Sequence, residues 1–386
     1  MRGMRMSRTS RQTASIISTY ASDASGVASA LYELGGMTVI HDASGCNSTY
    51  NTHDEPRWYD MDSMVYISAV SEMEAIMGDD SRWVSDIIDT ANEVHPAFIA
   101  LAGSPIPMMI GTDFEALAME IEQATGIPTF GIPTNGMHSY IWGVSQAFVC
   151  LARRIVGVPT DKKPAGKVRI NILGLTPLDF SIGGMDRSLV QVLEAHGIEI
   201  TSRWAMGDTL KHIRQAGSAD VDLVVSESGM EAARILKDRF GIPWVVGLPF
   251  GAAQTEALCH ALTAAAADGK DRFVPQPART GSVVIIGEGI QSLSLAEQLR
   301  REHGLEVKVV CATEPRRPVA DRVIEARDEE EILPHLQNAS VVIADPLYRP
   351  LVPQHCTFVP WPHEGFSGRI YRSDIPDLIR DELKTS

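Results

Sequence analysis

The chain has 386 residues with 34 Lys and Arg against 49 Asp and Glu, a formal net charge of −15, and 44% hydrophobic against 22% charged residues. This length exceeds what one hydrophobic core sustains, so two or three domains are expected, and the acidity opposes nucleic-acid binding, which needs a basic face to neutralise phosphates. The longest apolar runs, such as Phe98 to Ala102 and Val221 to Val225, fall far short of the roughly 20 residues a bilayer span needs, so no membrane segment is expected.

Residues 1–14 form a basic arm: Met1 to Arg11 holds four arginines, no acid, and no apolar core of the secretory type. A flexible or partner-contacting role is expected of it. Ala24 to Leu34 has helical spacing and stops at Gly35-Gly36. Next comes a short apolar strand to Ile40, and then the small-residue turn Ala43-Ser44-Gly45-Cys46. Gly45 permits a sharp bend, and its small neighbours leave the thiol approachable. A cysteine presented in this way can ligate a metal, although free cysteines are also common packing residues. Trp83 to Val94 reads as an amphipathic helix with Val84, Ile87, Ile88 and Ala91 on one face.

Ala97 to Leu101 is a continuous apolar run of the kind buried in parallel sheets, and Gly103-Ser104-Pro105 follows at its carboxyl end. Asp113 to Thr125 is a helix capped by Thr112 or Asp113. Gly126-Ile127-Pro128 stops that helix before a strand, and Trp142 to Val156 is a further helix. The polar linker Asp161 to Lys167 marks a first boundary, giving a first domain over 15–160. Strands over Val168 to Gly174, Ile198 to Trp204, Val221 to Ser226 and Trp244 to Leu248, with helices ending at His196 and Phe240, build a second domain over 161–272. The motif Gly126-Ile127-Pro128 recurs as Gly241-Ile242-Pro243, a faint repeat in which a glycine stop and a proline precede a buried strand.

The third domain, 273–386, opens with the strand Val283 to Ile286 and the turn Gly287-Glu288-Gly289. That turn lacks the third glycine of a dinucleotide fingerprint, so a plain strand-to-helix turn into Ser292 to His303 is expected. Strands over Val307 to Cys311 and Val341 to Ala344 follow, and a helix over Ile375 to Leu383 closes the chain. The pattern as a whole predicts an α/β protein of three Rossmann-like, doubly wound parallel-sheet domains. Five scattered cysteines, Cys46, Cys150, Cys259, Cys311 and Cys356, argue against a disulfide framework and for a reducing cytoplasm. Cys150, Cys259 and Cys311 read as core, and Cys356 lies in a proline-bracketed loop.

An apolar strand, then His41-x-x-x-Gly45-Cys46, then a polar run to Met64–Ala69 and Gly78-Asp79-Asp80 resembles the start of a nitrogenase component 1 type subunit. The likeness continues at Ala102-Gly103-Ser104-Pro105-Ile106, Gly111-Thr112-Asp113, Gly143-Val144-Ser145-Gln146, Asn171-Ile172-Leu173-Gly174, Gly207-Asp208-Thr209-Leu210 and Phe240-Gly241-Ile242-Pro243-Trp244. That superfamily includes nitrogenase MoFe subunits, the NifE/NifN scaffold pair and dark-operative protochlorophyllide reductase.

The resemblance implies a 4Fe–4S cluster shared across an interface with a homologous subunit. It places Cys46, with Gly45 beside it, on the position of a single metal ligand. The other cysteine positions of three-cysteine subunits fall near Tyr20 to Asp23 and near Ser104, where this chain has none, so it looks like the one-ligand, β-like partner. In a homodimer two ligands would have to be other than cysteine, with Asp42, His41 or Asp23 as candidates. A separate P-loop Fe protein would donate electrons, since the chain has no Gly-x-x-x-x-Gly-Lys-Ser/Thr motif and is expected to hold no nucleotide. Gly45 to Tyr50 and Gly78-Asp79-Asp80 lie where such a donor would approach.

The cofactor cysteine of the nitrogenase α subunit has no counterpart in Ser226-Glu227-Ser228-Gly229, and the late loop reads Pro360 to Phe366. These loops are expected instead to line a small-molecule substrate site, with Ser226 in its wall and Glu227 and His363 as proton donors, beside the alternative that they are ordinary caps. The expected function is therefore an oxidoreductase subunit active only in a complex. The alternatives are a non-catalytic scaffold for a cluster or cofactor, and a metal-free binding protein of the same fold.

Overall fold

Apolar strands buried on both faces need helices on both sides, and the chain supplies them by alternating the two elements. The computed structural model describes residues 14–43 apart from 18, 55–159, 166–381 and 383. Within these lie three sheets. The first contains β1 (Met37–His41), β2 (Met64–Ile67), β3 (Ile99–Gly103) and β4 (Thr129–Ile132) in the order β2-β1-β3-β4. The second contains β5 (Arg169–Leu175), β6 (Glu199–Ala205), β7 (Val221–Val224), β8 (Trp244–Val246) and β9 (Arg272–Phe273) in the order β6-β5-β7-β8-β9. The third contains β10 (Val283–Gly287), β11 (Val307–Cys311), β12 (Ile324–Glu325), β13 (Val341–Ala344) and β14 (Thr357–Pro360) in the order β12-β11-β10-β13-β14.

Every strand pair is parallel. The protein is thus an α/β molecule with three doubly wound units, as the alternating pattern predicts. In each sheet the strand order reverses once, between β1 and β3, between β5 and β7, and between β10 and β13. The carboxyl ends of the two strands at such a reversal diverge and leave a crevice where open α/β sheets bind ligands. Polar residues stand at all three reversals: Asp42 and Ser104, Asp179 and Glu227, Glu288 and Asp345.

The first unit is tied to the second through its helix Tyr140–Cys150, which packs on Glu227–Gly229 and on the helix Met230–Phe240. The helices Asp23–Leu31 and Tyr140–Cys150 approach so tightly that a Cβ on Gly143 would lie 1.8 Å from the Asp23 carbonyl oxygen. Only glycine fits there, and this contact fixes where Tyr140 points. Arg57 adds a second tie. It is buried, and it donates to Glu55 at 2.6 Å, to Glu33 at 2.8 Å, to the Ser29 carbonyl at 2.6 Å and, across to the second unit, to the Ala205 carbonyl at 3.3 Å.

The structure departs from the expected elements in several places. The helix expected over 142–156 is α-helical over Tyr140–Cys150 and continues as a π-turn over Leu151–Ile155. Short helices at Glu72–Met77 and Pro105–Ile110 go beyond the expected set, although the first carries a full capping box between Ser71 and Glu74, a signal readable in sequence. The C-terminal helix expected over 375–383 does not form among the described residues. A 3-10 helix spans Gly368–Asp374, and a turn follows in which the backbone N–H groups of Arg380 and Asp381 donate to the Asp377 carbonyl. Asp113 alone caps its helix, accepting from the N–H groups of Glu115 and Ala116. No helix of the described residues is long and apolar enough to cross a membrane.

Candidate functional site

The sequence-predicted residues fall into two places. Gly45 and Cys46 lie outside the described residues, as do most of the basic arm and most of the first linker. The described residues that lead into the Cys46 segment form a polar cluster at the first sheet's reversal. Ser104 Oγ donates to Asp42 Oδ1 at 2.5 Å, while Asp42 Oδ2 is buried with no hydrogen-bond partner among the described residues. His41 lies stacked on Trp83 with ring centroids 3.9 Å apart, and its Nδ1 meets Ser68 Oγ at 2.8 Å. Burial pushes this imidazole down to about 4, so at neutral pH it is uncharged. Asp23 is engaged by backbone, accepting from the N–H groups of Ala24, Asn135 and Gly136.

The described residues do not by themselves build an iron–sulfur site. No three His, Cys, Asp or Glu side chains converge as metal ligands among them. Cys259 and Cys311 are buried in the core, and Cys356 donates to the Ala339 carbonyl. The orphan Asp42 Oδ2 is one oxygen donor, and a four-ligand site needs more than one oxygen and the thiol of Cys46.

Ser226, Glu227 and His363 meet in the second place, a buried hub at the reversals of the second and third sheets. Ser226 is fully buried and caps the short 3-10 helix Glu227–Gly229, its hydroxyl 3.1 Å from that of Ser228. Its hydroxyl holds the loop through Ser228. Glu227 and Glu288 exchange carboxylates across the two units. The N–H of Glu227 donates to Glu288 Oε1 at 2.8 Å, and the N–H of Gly289 donates to Glu227 Oε1 at 3.0 Å. A Cβ on Gly289 would lie 2.0 Å from that same oxygen, so the exchange requires glycine.

The Cys311 thiol also donates to Glu227 Oε1, at 3.3 Å, and Glu288 Oε2 accepts from the N–H of Gln291 at 2.7 Å. Burial raises Glu227 to about 7, with the charge of Asp179 adding to the rise. Burial first, and then the charges of Glu227 and Asp179, hold Glu288 well above the usual carboxylate range. Neither carboxyl has an ion-paired Lys or Arg among the described residues, so protons take the place of cations.

Asp179 joins three units at one oxygen. Tyr140 OH donates to its Oδ1 at 2.6 Å, and His363 Nε2 stands 3.4 Å from the same atom. His363 Nδ1 accepts from the N–H of Gly365 at 3.1 Å, so in the neutral ring the proton sits on Nε2 and faces Asp179. The His363 backbone N–H donates to Asp345 Oδ2 at 2.8 Å, which also takes the Ser367 hydroxyl at 2.8 Å. Asp179 Oδ2 and His363 Nε2 are both buried without a hydrogen-bond partner among the described residues. The hub is therefore a closed set of proton-carrying groups with two unsatisfied polar atoms. A small pocket of about 30 Å3 lies against Glu227 beside Trp142, Arg234 and Arg316, with room for about two waters.

Sequence reasoning singled out Ser226, Glu227 and His363 but not Tyr140, Asp179, Glu288 or Cys311. Tyr140 starts a helix full of core residues, Cys311 ends an apolar strand, and Glu288 sits in a turn read as plain. The one usable signal was position, since Asp179, Glu288 and Cys311 each lie at or just beyond the carboxyl end of a strand.

Comparison with known proteins places this geometry in a family. Residues 23–346 match the family model described as nitrogenase component 1 type oxidoreductase. The chain is 24% identical over 283 residues to the nitrogenase iron-molybdenum cofactor biosynthesis protein NifE of Klebsiella pneumoniae, covering 69% of this chain and 60% of that protein. It is 27% identical over 189 residues to the nitrogenase molybdenum-iron protein alpha chain of Clostridium pasteurianum, covering 47% of this chain and 33% of the relative. It is 26% identical over 190 residues to a light-independent protochlorophyllide reductase subunit of Chlorobium phaeobacteroides, covering 46% and 34%. The matched region thus spans from a third to 60% of the length of these relatives. In fold, the chain is similar to a solved structure of nitrogenase Cp1 at pH 6.5, with a TM-score of 0.69 at 15% identity over 99% of this chain and 92% of that one. The matched model covers most of the chain, and the chain belongs to the nitrogenase component 1 type oxidoreductase family.

Proposed function

We propose that this chain is a subunit of a nitrogenase-like reductase that works only in a complex with a homologous component 1 subunit, either a second copy or an α-like partner. In this reading Cys46, with Gly45 beside it, would be this chain's ligand to an intersubunit 4Fe–4S cluster, which would supply electron transfer from an ATP-hydrolysing Fe protein to a small substrate in the reducing cytoplasm. The observation that carries the reading is the hub, in which Glu227, raised to about 7, and the Nε2–H of His363 meet around Asp179 at the strand reversals. Reduction of an organic substrate consumes a proton with each electron, and a carboxyl poised near neutral pH is suited to give one. Glu227 and His363 are the proton donors, and Ser226 and Glu288 hold the Glu227 loop. The pocket against Glu227 is about 30 Å3, smaller than an organic substrate, so in this reading the loops part to admit it.

A second reading is favoured by the match to NifE: a non-catalytic scaffold that holds a cluster or cofactor precursor. A metal-free binding protein of the same fold is the remaining alternative. Anaerobic co-purification with a homologous component 1 partner is expected to give a brown complex with roughly four irons per cluster. Cys46→Ala is expected to bleach it, and unchanged iron content would refute the ligand role. Substrate turnover that requires both an Fe protein and ATP separates the reductase from the scaffold.

A further inference from the structure

A cleft of about 900 Å3 opens where the carboxyl ends of the second and third sheets meet the C-terminal segment. Its inner wall is the outer surface of the hub loops: Phe180 follows Asp179, Pro346 follows Asp345, and Pro362 precedes His363. The cleft is nevertheless separate from the hub, because Glu227, Asp179 and His363 do not line it. Its outer wall is the segment from Tyr371 to Asp381, held in place by the Ser188 hydroxyl on Asp377 and by Arg372, whose Nε donates to Glu364 at 2.9 Å.

The lining states what the cleft can hold. Phe180, Met185, Tyr371 and four prolines make flat, apolar walls, and the volume suits a molecule of a few fused or linked rings. Among the described residues the charged groups in the lining are Asp374, Asp377 and Asp381, with no Lys, Arg or His. None of the three is ion-paired among the described residues; Arg372 is engaged on Glu364 and Arg380 on Gln191. An anion here would face three carboxylates without a counter-charge, and a neutral apolar molecule would desolvate them without compensation. A planar body carrying positive charge satisfies both the walls and the rim.

We propose that this cleft, between the hub loops and the C-terminal segment, is a binding site for a planar organic cation, an aromatic amine or amidine. The proposal does not rest on the reductase reading, and its test involves neither iron nor turnover. The probe is 4′,6-diamidino-2-phenylindole, a flat dication whose fluorescence rises in apolar surroundings, titrated into the nucleic-acid-free full-length protein. The charge-reversed control is 8-anilinonaphthalene-1-sulfonate.

Saturable one-to-one binding of the dication is expected, weakening as salt is added. The double variant Asp374→Asn, Asp381→Asn changes two exposed side chains outside the core and is expected to weaken binding roughly tenfold or more. Ser373→Trp, which fills the cleft from its exposed rim, is expected to abolish binding by bulk alone. The proposal is overturned if the dication fails to saturate on the wild type. It is equally overturned if both variants bind as the wild type does, or if the sulfonate competes for the same site with equal affinity.

Discussion

Replacing Glu227 with glutamine keeps a carbonyl oxygen to accept from the Gly289 N–H and the Cys311 thiol but removes the ability to ionise. Burial moves the wild-type carboxyl from 4.5 to about 7, which corresponds to about 3 kcal/mol of folding free energy. The folded-state value lies above the unfolded one, so the native protein holds the extra proton. The contribution is fully present below pH about 4.5 and is lost as pH rises through about 7. The wild type is therefore expected to lose about 3 kcal/mol more than Glu227→Gln between pH 5 and pH 8.

The amide has one acceptor oxygen where the carboxyl has two, so a backbone hydrogen bond such as the one Glu227 takes from Arg316 is lost, at about 1 kcal/mol. A net advantage of about 2 kcal/mol for the variant at pH 8 remains. Urea unfolding followed by tryptophan fluorescence at pH 5, 6, 7 and 8, at constant ionic strength, gives the difference from the midpoints. Parallel pH profiles for the two proteins would show that Glu227 titrates as a solvated carboxylate, and the proton-holding hub would have to be abandoned.

Three further changes probe the frame around the hub. Arg57→Met leaves Glu55 and Glu33 without their buried cation and is expected to cost about 3–5 kcal/mol, seen as a lowered urea midpoint; a midpoint within error of wild type would contradict the tie between the first two units. Tyr140→Phe strips Asp179 of its 2.6 Å donor and should cost about 1.5–3 kcal/mol, with no loss of stability marking that bond as incidental. Gly289→Ala forces a Cβ toward Glu227 Oε1 and is expected to cost about 1–3 kcal/mol. Amide hydrogen exchange should then speed up at Glu227 and Ser292 while β1 is unchanged; uniform exchange across the chain would argue against a local clamp.

The layered architecture was legible in the order of residues alone. Runs such as Phe98 to Leu101, Val221 to Val224 and Val283 to Ile286, short and bounded by turn residues, read as strands covered on both faces, and glycine stops such as Gly126 and Gly241 close the helices between them. These signals are local, so they are readable without knowing what packs where. Ser226, Glu227 and His363 could be marked for the same reason, because position after a buried strand is a local property too. Long-range packing was needed to make Glu288 a partner of Glu227, to turn Tyr140 and Cys311 into hydrogen-bond donors in a polar hub, and to let Asp179 join all three units. Glu227 meets Gly289 and Cys311 at separations of 62 and 84 residues, and Asp179 meets Gln291 at 112. Whether a carboxyl is bathed in water or sealed between sheets depends on how those distant elements pack, and that burial is what sets its charge.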